Sequence, residues 1–445
     1  MAGHDPQDAA APSRAVGAAL TAALAGERLR IVAGLIRTTG DWELAEDCLQ
    51  DAAERALAHW PADGIPDNPA GWLRTTAQRR ALDLLRRRRT ELRKVQEVQA
   101  MDEPTRRDEG ADRRPGPPAG DVLVGPGGAV VDDRLVLLFA CCHPALPLAG
   151  RVALTCKTVT GMSTRQVARA FLVSEATMGQ RLLRTRNKIA HAGIAFAPPP
   201  PHRLAERTAG VLAVIYLLFN EGYTAPEART AGEPDLAAEA IDLAALVSRL
   251  LPDDPETHAL LALLRLQHSR RAARLDDRGD LVPMEDQDRT RWDRAMIDAG
   301  LADLRRARAA GTPGRPAPAA GTYRLQAEIA ALHATPATAA ETDWPRVVAL
   351  YDLLLTSSPS PVTALNRAVA VGFADGPDAG LAALGTVADD PRLSGYRQVE
   401  VVRADLLRRA GRVSEAAAAY RRALGDAEGE AERRFLRRRL RELGG

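Results

Sequence analysis

The sequence predicts an all-α protein, and three observations carry that reading. Hydrophobic residues make up 46% of the 445 positions and aromatics only 4%, so Ala and Leu must do most of the packing, and both favour helices. Apolar residues recur at three- and four-residue intervals over long stretches, the period of a helix with one buried stripe. Near the C-terminus, Tyr351, Leu384 and Tyr420 are spaced by 33 and 36 residues, the length of one repeated helix pair.

A chain of this length suggests about three domains. Net charge is only +2, so any nucleic-acid contact must come from local basic patches. The four cysteines, at 48, 141, 142 and 156, have no framework spacing, which suits a reduced, cytoplasmic protein. Residues 1–13 lack a basic start followed by an apolar core, and no run approaches a membrane span. They read as a short disordered N-terminus, with no membrane partner expected.

Taken in order, Val16, Leu20, Leu24, Leu29, Val32, Leu35 and Ile36 mark one or two helices within 14–39. The next helix, Asp41 to Trp60, carries a stripe of Leu44, Cys48, Leu49, Ala52, Ala56 and Leu57. Its other face gathers Glu43, Glu46, Asp47, Gln50 and Asp51, since residues three and four apart are neighbours on a helix. Pro61, Pro66 and Pro69 are expected to stop this helix and hold an extended loop. A further helix starts at Ala70, is apolar through Trp72, Leu73, Leu82 and Leu85, and gathers Arg74, Arg79, Arg80 and Arg86 to Arg89 outside. An acidic helix, a stiff loop and an Arg-faced helix suggest a two-sided adaptor, with one side for a basic protein and the other for phosphate. Arg suits the second role because its planar fork pairs bidentately with phosphate. Any one of these charges alone reads as a solvated helix face.

Between Met101 and Val130 periodicity is lost among prolines, glycines and acidic residues, so 96–130 reads as a linker. From Val131 to His191, Ser163 is placed to cap a short helix and Ser174 a longer one, with Val173, Met178 and Leu182 inward. That is a helix-turn-helix pattern, with Glu175, Thr177, Gln180, Arg181 and Arg184 outward, of suitable chemistry for base edges and phosphates. Cys141-Cys142-His143 does not read as a metal site, because adjacent cysteines diverge on a helix and no second pair supports them. The cysteines read as small buried residues. No metal or cofactor is expected, and no constellation for catalysis is found.

After a stiff hinge at Pro198 to Pro201, residues 202–445 form a long Ala- and Leu-rich helical extension. Ala404, Gly411, Ala416, Tyr420 and Ala423 fall at the intervals of a tetratricopeptide helix pair, so a solenoid with a concave face is expected. Within it, Arg270, Arg271 and Arg274 precede Glu285, Asp286, Asp288, Arg289 and Trp292. These charges read either as a salt-bridge network between helices or as a signal-sensing or polymerase-contacting site.

Three runs carry a family resemblance: Leu44-Ala-Glu-Asp-Cys-Leu-Gln-Asp-Ala52, Asn68-Pro-Ala-Gly-Trp-Leu-Arg-Thr-Thr76 and Arg80-Ala-Leu-Asp-Leu-Leu-Arg-Arg-Arg88. They resemble region 2 of the sigma-70 family, specifically the extracytoplasmic-function (ECF) sigma factors, and the Ser163 to Arg184 block resembles region 4. The Cys-Cys-His-Pro-Ala-Leu, Leu-Phe-Asn-Glu-Gly-Tyr and Glu-Asp-Gln-Asp-Arg segments resemble the subgroup with a long C-terminal tetratricopeptide-like extension. The resemblance implies region 2 at 14–95, a linker at 96–130, region 4 at 131–195 and the extension at 202–445.

It further implies that Glu46, Asp47, Gln50 and Asp51 bind core RNA polymerase, whose β′ and β subunits are the expected partners. Asn68, Trp72, Arg74, Arg79, Arg80, Asp83 and Arg86 would face the −10 promoter DNA, and Glu175, Thr177, Gln180, Arg181 and Arg184 the −35 element. The extension would regulate initiation, with Arg270, Arg271, Arg274, Glu285, Asp286, Asp288, Arg289 and Trp292 as regulatory candidates facing a protein or ligand. Ala53 stands where the family carries an aromatic residue, Leu172 where its turn carries Gly, and Gly179 where relatives carry a basic residue. The rival reading is a DNA-binding helical-repeat scaffold acting without polymerase; the acidic face argues against it.

Overall fold

The structure, a computed structural model, describes residues 10–102, 132–171, 173–194, 196–224, 235–310, 320–425, 427 and 430–444. Most of the expected linker and Leu172 therefore lie outside the described residues. The fold is all-α: among the described residues no strand forms, and an isolated antiparallel bridge pairs Leu275 with Leu281. The chain divides into two units, residues 1–214 and 215–445.

In the N-terminal unit, α1 (Ala10–Thr39), α2 (Trp42–Asp63) and α3 (Pro69–Asp102) pack pairwise on one another. Asp41 starts α2 by accepting from the N–H groups of Glu43 and Leu44, both at 3.1 Å, and so satisfies two donors that the first helical turn leaves without partners. The buried stripe of α2 runs Cys48, Ala52, Ala56 and Trp60, stepping one residue per turn. Leu57, expected in that stripe, is 51% exposed, because it lies about 100° round the helix from Ala56. Trp60 takes its place and meets Trp72 edge to face at 5.5 Å.

Pro61 does not end α2. The helix runs on to Asp63 and closes where Gly64, at φ +87°, donates its N–H to the Trp60 carbonyl at 3.0 Å. In the last turn the N–H that Pro61 lacks costs only the bond to the carbonyl of Leu57, an exposed residue. The α3 helix begins on Pro69 itself, a position that needs no N–H donor. Its buried side is Leu73, Ala77 and Ala81, and it continues beyond Arg89 into the stretch expected to be linker.

Next come α4 (Asp133–Cys141), α5 (Leu148–Leu154), a π-helical turn (Thr155–Thr160), α6 (Thr164–Ala170), α7 (Glu175–His191) and α8 (Pro201–Thr224), in which the division between units falls. Ser163 and Gln166 form a reciprocal cap on α6, and Ser174 caps α7. A Cβ on Gly150 would stand 2.6 Å from Thr185 Oγ1, so glycine is what lets α5 and α7 approach closely.

The C-terminal unit continues with α9 (Leu236–Leu250), α10 (Pro255–His268), α11 (Arg294–Ala309), α12 (Thr322–Ala334), α13 (Trp344–Ser357), α14 (Pro361–Ala374) and α15 (Pro377–Gly385). It ends with α16 (Gln398–Arg409), α17 (Val413–Gly425) and α18 (Glu430–Gly444). From α12 onward each helix packs on the next. Ala404, Ala416, Tyr420 and Ala423 are buried in one cluster, and Gly411, at φ +72°, turns the chain between α16 and α17. The α10 and α11 helices are joined by an irregular strap, 269–293, that carries short 3-10 turns and the Leu275–Leu281 bridge.

Candidate functional site

On α2 the expected acidic face is divided. Asp47 and Gln50 are exposed, and the Gln50 amide bonds Glu54 at 3.0 Å. Asp51 pairs with Arg80 of α3 at 2.7 Å, so a residue expected to bind polymerase holds one expected to meet DNA. Glu46 turns the other way and is only 15% exposed. It pairs with Arg186 of α7 at 3.0 Å and with Lys157 of the π-helical turn at 3.6 Å, and accepts from Thr158 Oγ1 at 3.3 Å. Arg28 of α1 secures the same turn by donating to the Thr158 carbonyl at 2.8 Å. The wider π turn brings Lys157 and Thr158 to one carboxylate, and Gly161, at φ +85°, ends it. Sequence reasoning missed Arg28, Lys157 and Arg186, because the pairing spans 112 to 140 residues.

On α3, Arg74, Arg79, Asp83 and Arg86 are exposed, with Asp83 and Arg86 paired at 3.5 Å. Asn68 spends its side-chain oxygen on the Gly71 N–H at 2.8 Å, capping α3, while Trp72 is half-buried against Trp60. Arg88 reaches Asp41 at 3.0 Å. Burial pushes the Asp41 carboxyl up, but the Leu44 N–H and Arg88 outweigh it and hold the group below its ordinary range.

Along α7, Glu175, Thr177, Gln180 and Arg184 are exposed and Arg181 is half-buried, while Met178 and Leu182 are buried on the opposite side. Glu175 pairs with Arg165 at 3.2 Å, Thr177 donates its N–H to the Ser174 cap, and Gly179 faces open space. All four cysteines are buried free thiols, and burial pushes Cys48 and Cys142 up to about 11. Among the described residues no group of His, Cys, Asp or Glu stands where it could hold a metal ion, and no helix is long and apolar enough to cross a membrane.

In the C-terminal unit the strap is pinned by arginines from helices far along the chain. Glu285 pairs with Arg409 and, at 3.8 Å, with Arg408; Asp286 pairs with Arg439 at 3.2 Å; Asp280 pairs with Arg434. Arg438 donates to the Leu281 carbonyl at 2.9 Å. Arg271 pairs with Asp235, and Arg274 lies 3.8 Å over the Tyr223 ring. Asp288 caps its own turn through the Thr290 N–H at 2.9 Å. Arg289 donates to the His333 and Pro336 carbonyls at 2.8 and 2.9 Å and lies 4.5 Å over Trp292. The expected network between helices is present, and it also borders a cavity of about 560 Å³ whose walls include Arg270, Arg289, Trp292, Trp344, Phe373 and Arg409. Neither the cavity nor the roles of Trp344, Phe373, Arg409 and Arg439 were foreseen from sequence.

Family comparison assigns residues 24–91 to Sigma-70 region 2 and residues 207–308 to a family of unknown function (DUF6596). The chain is 42% identical over 421 residues, 95% of both chains, to a protein of Rhizobium meliloti (strain 1021) described as uncharacterized. No solved structure matches it. The matched region 2 is the block of α1, α2 and α3 whose exposed arginines and divided acidic face are described above. With a relative alike over 95% of both chains, the chain belongs to the family of the rhizobial protein, and it carries a sigma-70 region 2 domain.

Proposed function

We propose that the chain is an RNA polymerase sigma factor of the ECF type whose long C-terminal extension regulates it. The exposed part of the α2 acidic face, Asp47 and Gln50 with Asp51 at its edge, docks the β′ subunit of core polymerase, and Glu46 joins it once freed from α7. Arg74, Arg79 and Arg86 of α3 meet promoter DNA at the −10 element, and Trp72 lies beside the loop where a base could be received. Unstacking a base costs a few kcal/mol, which contacts on its edge and face offset. In this reading α6 and α7 form a helix-turn-helix whose Gln180, Arg181 and Arg184 read the −35 element, as the residue types suit base edges and phosphates. The observation that carries the proposal is that the matched region 2 presents exposed arginines on α3, Arg79 and Arg86 on the side away from the buried Leu73, Ala77 and Ala81 and Arg74 at the border of that buried side.

The test is run-off transcription by core polymerase, with the full chain added, on a pool of genomic promoter fragments. Discrete transcripts that depend on the chain are expected. A chain that binds DNA fragments but neither binds core polymerase nor supports any transcript would refute the reading and favour a DNA-binding repeat scaffold.

A further inference from the structure

Four arginines and two carboxylates, Glu285 and Asp405, line the cavity of the C-terminal unit, and both carboxylates are already paired with Arg408 and Arg409. Arg270 has no carboxylate partner among the described residues; its guanidinium lies 5.9 Å from the centre of the Tyr223 ring. Arg289 bonds backbone carbonyls and the Trp292 face, with Glu341 as a nearby counter-charge. Trp292 is 4% exposed and Thr342 6% exposed, yet the indole N–H and the Thr342 hydroxyl find no hydrogen-bond partner. Buried donors are ordinarily satisfied, and a cation that no described carboxylate pairs is costly in a half-enclosed site. Trp344 stacks on Phe373 at 4.1 Å with 9° between planes, Arg409 lies 4.1 Å over the Phe373 ring, and Val347 and Leu354 also line the cavity.

We infer that this cavity binds a small organic anion, a carboxylate or sulfonate carried on a flat apolar body. The head group sits between Arg270 and Arg289, and the body lies among the apolar side chains of the cavity wall. The volume is that of a site for one small molecule. Burial, with Arg270 and Arg289 nearby, depresses His333 to about 4, so it is neutral at pH 7 and adds no charge of its own. The inference does not depend on the promoter reading, since the site lies wholly within the C-terminal unit and its test contains neither polymerase nor DNA.

The probe is 1-anilinonaphthalene-8-sulfonate, titrated by fluorescence into the full chain, with the neutral N-phenyl-1-naphthylamine as its uncharged counterpart. Saturable binding of the sulfonate to one site is expected, tighter than that of the neutral probe. Arg270→Gln should weaken the sulfonate about tenfold or more, the scale of one charge-assisted hydrogen bond. It should leave the neutral probe unchanged, and Arg270→Lys should restore most of the loss. Asn366→Trp, at an exposed position on the cavity wall, should exclude both probes and carries the test should Arg270→Gln fail to fold. Equal affinity for the two probes, or sulfonate binding indifferent to both Arg270→Gln and Asn366→Trp, overturns the inference.

Discussion

Replacing Arg186 by Ala should tighten binding to core polymerase, although Arg186 lies outside the matched region 2. Its guanidinium holds Glu46 at 3.0 Å, with side-chain exposures of 18% and 15%, low enough that solvent screening removes little of the interaction. A hydrogen bond between charged groups contributes about 1.5–3 kcal/mol. Lys157 and Thr158 remain as partners for Glu46, so the net loss is taken as about 2 kcal/mol, well below the cost of stranding a buried charge. By the rule that each 1.4 kcal/mol is tenfold, that is a shift of about thirtyfold toward the state in which α2 parts from α7. A partner that needs Glu46 sees its affinity reduced by the fraction of molecules in which Glu46 is free. Apparent affinity should therefore rise by up to about thirtyfold.

Fluorescence anisotropy of labelled full chain titrated with core polymerase measures the affinity. Hydrogen exchange in the Thr155–Thr160 turn reports release without any partner. Glu46→Gln is the discriminating control: it loosens the same contact but removes the charge meant for polymerase, so exchange should rise while affinity does not. Unchanged affinity and unchanged exchange in Arg186→Ala would refute the reasoning, since the pair would then contribute nothing to holding α2 against α7.

Three further outcomes are expected. Arg79→Ala, at an exposed position on α3, should lower the slope of log affinity against log salt for promoter DNA by about one, as expected for a lost phosphate contact; an unchanged slope removes Arg79 from the interface. Gly321→Ala would place a Cβ 2.2 Å from the carboxyl carbon of Glu256, which accepts from the Tyr323 and Arg324 N–H groups at 2.8 and 3.1 Å. Displacing that cap should cost about 1–3 kcal/mol, seen as a lower Tm, and an unaltered Tm would show that Glu256 can step aside. The buried His333, at about 4, binds its proton less readily folded than unfolded. Stability is therefore present above the unfolded value near 6.5 and lost as pH falls toward 4, by up to about 3 kcal/mol. Denaturant midpoints measured from pH 7 to 4 should fall less steeply in His333→Leu, and parallel curves would show that other groups dominate.

The α2–α3 block was legible because its signals are local. A stripe at helical spacing, serine and aspartate caps, and prolines near helix ends are each decided within a few residues. Even there, two local rules misled. Pro61 read as a stop, yet proline in a final turn loses only one bond, and at an exposed site water replaces it. Leu57 read as core by its residue type, whereas the position four residues beyond Ala56 belonged to Trp60. The side of α3 that packs is built from Ala77 and Ala81, small residues that carry little hydrophobic signal and leave the conspicuous Leu82 and Leu85 only half-buried.

What sequence could not supply is the partner of a charge. Glu46 and Asp51 sit on one helix with the same chemistry; one meets α7 and the other α3, and nothing within several residues of either distinguishes them. The same holds for Glu285 and Asp286, which share a dense run of opposite charges and admit both a structural and a functional reading. Their partners Arg408, Arg409 and Arg439 lie more than a hundred residues on. Glu285 and Asp286 hold the strap to α16 and α18 through these pairings. Among the described residues Arg270, from the same run, has no carboxylate partner, and it lines the cavity. A charge network that satisfies its members explains only the strap's position, and the cation it leaves unpaired is the residue to mutate first.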